Sequence, residues 1–158
     1  MNLKILSLVA AVLLVAGCHD SNTGTDNTAS GGQTAPPPAA SGSGQEQMMK
    51  VGNTVYFAFD RSDITSEGRT TLQRQAQLLQ QNPSWTVTIQ GNCDERGTVE
   101  YNLGLGERRA NAARQALIAL GVASNRIQII SYGKERPAVA GHNEQAWAQN
   151  RRAVTVVN

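Results

Sequence analysis

The sequence predicts a two-layer α/β sandwich: a four-stranded mixed sheet with two main helices, in the order β-α-β-α-β-(short α)-β. Three observations predict it. Short runs of alternating or continuous apolar residues, "WTVTIQG", "RIQIISYG" and "RRAVTVV", read as strands. Two longer segments between them read as helices, the first with apolar residues at helical spacing and the second with a glycine stop. Helical crossovers between strands favour helices packed on a sheet.

Each element has its own signal. Structured sequence begins near Met48, and Val51, Val55, Tyr56 and Phe57 suggest the first strand. In "DITSEGRTTLQRQAQLLQQNP", Leu72, Ala76 and Leu79 recur at helical spacing and Pro83 stops the helix. In "WTVTIQG", Trp85, Val87 and Ile89 take one face and Thr86, Thr88 and Gln90 the other. The second helix runs from about Val99 to Leu120, with Gly121 as its stop. After the third strand and a loop with Pro137 and Gly141, a short helix near Glu144 to Gln149 leads into the last strand.

Ahead of this domain the composition changes. "MNLKILSLVAAVLLVAGC" has a basic Lys4 and an apolar stretch too short for the roughly 20 residues a membrane span needs. It reads as a secretory leader over residues 1–17. "LVAGC" resembles the bacterial lipobox, where cleavage leaves Cys18 as an acylated N-terminus; several acyl chains anchor stably where one does not. From His19 to Gln45 no large apolar residue occurs, so residues 18–45 are expected to be an anchored, flexible linker and 46–158 the domain. Fully extended, the linker would reach roughly 90 Å. This layout is that of a tether between a membrane and something beside it.

The formal charge is +2, with basic residues scattered rather than striped, which argues against a nucleic-acid surface. Two cysteines, Cys18 and Cys93, do not make a disulfide scaffold. The "GLGERRA" stretch is not a dinucleotide fingerprint, because its glycines fall inside a helix. No cofactor is expected.

The chemistry concentrates in "GNCDERGTVEYNLGLGERRA". Asp94 lies between a strand end and a helix N-terminus, where α/β folds place ligands. Asn102, Leu105 and Arg109 share one helical face, and the loop can fold back to bring Asp94 near Arg109. Arg108, about 100° further round, points elsewhere. On the residues alone, an internal Asp94–Arg109 pair, two solvated charges, or a ligand carrying both signs all remain open. Gly104 and Gly106 inside the helix allow either close packing or room for a ligand.

"NCDERGTVEYNLGLGERRANAARQAL" resembles the OmpA-like peptidoglycan-binding domain, within it the peptidoglycan-associated lipoproteins. "VYFAFDRSDIT", "IISYGKERPAV" and the final "NRRAVTVVN" carry the resemblance across Val51 to Asn158. It implies a sandwich fold and a non-enzymatic site for the diaminopimelate of a wall stem peptide. Asp94 would accept from its ammonium and Arg109 clamp its carboxylate, with Asn102 and Leu105 on the same face, Thr98 at the helix entry and Asp60 beside Phe59 at the rim. The implied partners are peptidoglycan, outer-membrane lipid through acylated Cys18, and TolB with other Tol-system proteins. The implied location is the outer membrane with the domain in the periplasm, since His19, not Asp20, follows the cysteine. If TolB used the same mouth, the two partners would exclude each other.

This chain departs from the pattern at Asn92, where the family usually has His, at Ala58 in place of an acid, and at Gly104. Cys93 is expected to be a small buried hydrophobe, Glu95, Arg96 and Arg108 structural or surface charges, and Arg151 and Arg152 partners of acids or part of the rim. Two rivals are a wall-anchoring lipoprotein outside the Tol system and a thiol hydrolase pairing Cys93 with His142. No glycosidase carboxylate pair or metal-ligand set stands out.

Overall fold

The last strand organises the sheet. Residues 41–158 are described by the computed structural model, with side chains from Gly44 onward. Among these residues, the order is α1 (Ser41–Val51), β1 (Thr54–Tyr56), α2 (Ser66–Gln81), β2 (Val87–Asn92), α3 (Val99–Ala119), β3 (Ile127–Gly133), α4 (Glu144–Asn150) and β4 (Arg152–Val157). A single 3-10 turn at Ser124–Arg126 precedes β3. The sheet order is β1-β4-β2-β3, so β4 inserts between the first two strands. It runs antiparallel to both, while β2 and β3 are parallel, as a helical crossover through α3 requires. The sheet is therefore mixed, as the sequence predicts.

The sheet alternates buried and partly open positions along β2 and β4, the signature of one face packed and one facing water. Val87 and Ile89 of β2, Leu72, Ala76 and Leu79 of α2, and Ala110, Ala113 and Leu117 of α3 form the core between the layers. Burying each of these leucines contributes about 1.5–3 kcal/mol. The helix ends follow local chemistry. Thr65 accepts from Gly68 N to cap α2, and Gly121 at φ 92° takes the left-handed turn that ends α3.

α1 departs from the sequence reading. Residues 41–45 belong to the stretch expected to be linker, and Val51 was expected in a strand; all are helical. The opening "SGSG" has poor helix propensity, so the helix is held by docking. Met48 is fully buried in the core. Gln45 Oε1 accepts from Val157 N at 2.8 Å, beyond the point where short β1 stops pairing with β4. Gly52, at φ 95°, ends the helix and its carbonyl accepts from buried Gln75 at 2.7 Å. The expected leader, Cys18 and the linker up to residue 40 lie outside the described residues. None of the described helices is long and apolar enough to cross a membrane.

α3 lies on the sheet through a backbone-to-backbone contact. A Cβ on Gly91 of β2 would sit 1.8 Å from the Gly106 carbonyl oxygen, and one on Gly106 would meet Ser131 Oγ at 2.4 Å. Close packing is the reason for Gly106. Gly104 is different, because a Cβ there meets only the Arg108 guanidinium at 3.5 Å. Gly106→Ala is therefore expected to destabilise the domain by about 1–3 kcal/mol through overpacking. Gly104→Ala is expected to stabilise it by up to about 1 kcal/mol through helix propensity. Urea unfolding of both variants checks the opposite signs.

Candidate functional site

The mouth of the domain is built on a buried guanidinium. Arg109, in the middle of α3, is 0% exposed. Its Nε donates to Arg61 O at 2.9 Å, Nη2 to Ala58 O at 3.1 Å and Nη1 to Asn92 O at 3.0 Å. One side chain thus fastens the β1–α2 loop and the end of β2 to the helix. Burial pulls its basicity down, and the charge of Asp94 works in the opposite direction. A guanidinium titrates so far above neutrality that it stays charged.

The loop it fastens presents Phe59 and Asp60. Asp60 sits in the left-handed region at φ 57°, a cost that clusters at functional sites. Its carboxylate accepts from the Tyr101 hydroxyl, which holds the Tyr101 proton on. Phe59 is exposed.

The β2–α3 loop closes the other side. Cys93 N donates to Gly133 O at 2.7 Å, and Lys134 Nζ donates to the carbonyls of Glu95 and Gly97 at 3.3 and 2.7 Å. Asn102 reaches back from α3 to Arg96 O at 2.8 Å and Thr98 O at 3.0 Å. This loop turns Asp94 inward, where it is 4% exposed.

A cavity of about 180 Å³ results, lined by Phe59, Asp60, Asp94, Asn102, Leu105 and Arg109, and also by Cys93, Arg96, Gly97 and Tyr101. The first six are residues that the sequence singles out. Thr98 does not line the cavity. It is exposed and caps α3, accepting from Tyr101 N at 3.1 Å. Cys18 lies outside the described residues.

The pairing of charges differs from the sequence expectation. Asp94 and Arg109 share the cavity without bonding to each other, but Asp94 is not free. Arg96 clasps it with Nη2 to Oδ2 at 2.6 Å and Nε to Oδ1 at 3.2 Å, and adds its backbone N–H at 3.1 Å. Arg151 Nη1 reaches Oδ2 at 3.3 Å. Burial alone would raise the Asp94 pKa; the Arg96 hydrogen bonds and charge, with Arg151, outweigh it and hold the carboxyl below its usual range. Arg96, expected to be a structural or surface charge, is the main partner of Asp94, and Tyr101 on the cavity wall was not singled out by the sequence. The signal available for Arg96 was its spacing two residues after Asp94 in a loop.

Arg96 also stacks on aromatic rings, 3.9 Å from the Phe59 centroid and 4.1 Å from that of Trp147. Trp147 Nε1 donates to Glu95 at 2.8 Å, and Glu95 also meets His142 Nδ1 at 2.6 Å. Arg151 is buried, donating to Phe57 O at 3.0 Å and Glu144 at 2.6 Å. Arg108 lies outside the mouth, over the Tyr101 ring.

The geometry does not favour Cys93 and His142 as a catalytic pair. Burial raises the Cys93 pKa, so the sulfur stays a neutral thiol, and it donates to Asn102 O at 3.4 Å. The His142 side chain is 86% exposed and engaged with Glu95. Asn92 is buried, donates to Gln90 O at 3.0 Å, and leaves its Oδ1 without a partner. Among the described residues, no group of three or more His, Cys, Asp or Glu is placed to hold a metal ion.

Fold and cavity define a small α/β binding domain with a charged mouth. The OmpA family's sequence model matches residues 56–151. The peptidoglycan-associated lipoprotein of Mesorhizobium japonicum is 44% identical over 154 residues, 98% of this chain and 91% of its own length. That of Haemophilus influenzae is 42% identical over 151 residues, 96% of this chain and 95% of its own. The crystal structure of the peptidoglycan-associated lipoprotein from Burkholderia pseudomallei superposes with a TM-score of 0.66 at 48% identity, over 67% of this chain and 90% of that one. A C-terminal domain of Helicobacter pylori MotB shares the fold alone, with a TM-score of 0.61 at 19% identity. The chain belongs to the OmpA family and, within it, groups with the peptidoglycan-associated lipoproteins. The name these relatives bear describes an association and a lipid, not a reaction.

The Asp94 pairing has a pH signature. Its folded pKa is lowered, so its contribution is present above the ordinary carboxylate range and lost as pH falls through the lowered value. Asp94→Asn should therefore cost about 1.5–3 kcal/mol at pH 7. That difference from wild type should shrink below about pH 4. Urea midpoints at pH 7 and pH 3 measure it, and an equal gap at both would contradict the ion-pair assignment.

Proposed function

We propose that this chain binds peptidoglycan non-covalently, through the diaminopimelate of the stem peptide. The carrying observation is one cavity that has a buried carboxylate and a buried guanidinium on its walls, Asp94 and Arg109, beside apolar Leu105 and Phe59. The free end of diaminopimelate bears an ammonium and a carboxylate on one carbon. A volume near 180 Å³ suits such a head rather than a whole peptide, since sites for drug-sized ligands span about 300–1,000 Å³.

A guanidinium has five N–H donors, and three of those of Arg109 go to backbone carbonyls. The remaining donors suit a carboxylate, and Asp94 suits the ammonium. Each charge-assisted bond contributes about 1.5–3 kcal/mol before the cost of ordering the ligand. A single stem is then held modestly. A polymer with many stems, met by a tethered domain, supplies the rest through effective concentration.

Cleavage after residue 17 leaves Cys18 acylated in the outer membrane, the following segment spans to the wall, and the domain works in the periplasm. It ties membrane to wall within the Tol-Pal envelope and division system, with TolB among its partners. The "YGKERPAV" and "DERGTVEYN" stretches support the Tol placing, and the relatives' name, peptidoglycan-associated lipoprotein, supports a lipid anchor and a wall partner.

Co-sedimentation with purified sacculi tests the wall site. Arg109→Lys keeps the charge while losing the planar fork, so it separates recognition from charge. Asp94→Asn and Arg109→Lys are each expected to weaken pelleting at least about tenfold, roughly 1.4 kcal/mol. Circular dichroism checks that each variant is folded. Pelleting unchanged in both folded variants would remove Asp94 and Arg109 from the binding site.

A further inference from the structure

Arg96 raises a question that the wall-binding reading does not answer. The acid offered to a ligand's ammonium already has four hydrogen bonds, three of them from this one residue. A carboxylate has about four acceptor positions, so no position is left for an incoming donor. Yet Arg96 is the exposed partner of the clasp. Its side chain is 31% exposed, against 5% for Asp94 and 7% for Arg151. It is the member of the cluster that can leave.

The surroundings of Arg96 are those of a bound cation. The guanidinium has a buried carboxylate at 2.6 Å, two aromatic rings within about 4 Å, and the more distant Glu144 carboxylate at 3.8 Å. Cations over ring faces beside a carboxylate are held by both the ring quadrupole and the charge.

The backbone that carries Phe59, and the Trp147 and Asp94 side chains, are held by groups other than the Arg96 side chain. Phe59 stands on the loop that Arg109 fastens at Ala58 and Arg61. Trp147 is held through its indole N–H by Glu95, and Asp94 by Arg151. Withdrawing the Arg96 side chain therefore leaves Asp94 and Trp147 held in place, beside a fastened loop that carries Phe59.

We propose that Asp94, Phe59 and Trp147 form a cation subsite which Arg96 fills in the unliganded protein, and that a ligand's ammonium enters by exchanging with it. The identity of the natural ligand rests on the preceding reading; the subsite itself does not. Self-occupancy lowers apparent affinity by the fraction of time the subsite is open. It also selects for ligands that carry a cation, because a neutral or anionic group cannot replace Arg96 over a buried acid. Binding is then an exchange of one cation for another, with no net change of charge at Asp94.

The test uses the full chain in detergent micelles and two sets of probes, read from the Trp147 indole N–H resonance. The first set is n-propylammonium and n-propylguanidinium, which have no relation to the wall. Saturable shifts in Arg96→Ala, at least about fivefold weaker in wild type and absent from Arg96→Ala/Asp94→Asn, support the subsite. No saturable shift in Arg96→Ala, or an equal one in wild type, overturns it. Arg96→Gln, which keeps the side chain's length without its charge, repeats the measurement should the alanine variant not fold.

The second probe is a stem tripeptide ending in meso-diaminopimelate. Arg96→Ala is expected to bind it at least about fivefold more tightly than wild type. Weaker binding overturns exchange, because Arg96 would then be holding the ligand's carboxylate. If the small cations bind Arg96→Ala while the tripeptide binds neither form, the subsite stands and the peptidoglycan reading falls.

Discussion

A buried cation with backbone carbonyls as its bonded partners is the constraint on which the mouth of this domain depends. Arg109 projects from α3 into the gap between the β1–α2 loop and the end of β2, and its fork meets Arg61, Ala58 and Asn92. Carbonyl dipoles take three of its five N–H donors without cancelling its charge. The site therefore keeps a net positive wall, which a direct ion pair with Asp94 would have removed. The same bonds fix the backbone that presents Phe59 and Asp60, so rigidity and recognition come from one residue.

Opposite that wall the charges are more crowded. Asp94, Arg96, Arg151 and Glu144 form a connected cluster in which the two inner members are buried and the two outer ones reach solvent. A buried carboxylate left alone would be expensive. Here it has one permanent partner, Arg151, and one at the rim, Arg96. A site can stay satisfied while empty and still yield an acid to a ligand, provided that one partner is exchangeable. The outer charge of such a cluster can serve ligand selection while the inner one serves the fold.

Getting α3 close enough to the sheet for Arg109 to reach all three carbonyls takes small residues. Gly91 and Gly106 let the β2 and α3 backbones touch, which places the Arg109 turn over the end of β2. The register shift between Gly91 and Asn92 bends that strand end as it enters the loop carrying Asp94. Fold and site are thus coupled through a backbone contact, not through a hydrophobic side chain.

Much of this was legible in the residues. Periodicity located α2 and β2, because each buries one face and that burial writes a repeat of about 3.6 or two into the sequence; apolar runs located β3 and β4, and the segments between strands gave α3 and α4. The shared face of Asn102, Leu105 and Arg109 follows from helical spacing alone. α1 was not legible. Its Ser/Gly start carries little helical signal and the remainder is short, so it forms because Met48 and Gln45 find partners in the folded domain. The partner of Asp94 was not legible either. Charges two residues apart face each other or not according to loop dihedrals, and Asn102 and Lys134 set those from distant elements. By itself, the sequence determined the family, every element but α1, and six of the residues that gather at the mouth, since these depend on local pattern. Only the tertiary structure decided which charges pair, because pairing depends on distances between segments that local pattern does not encode.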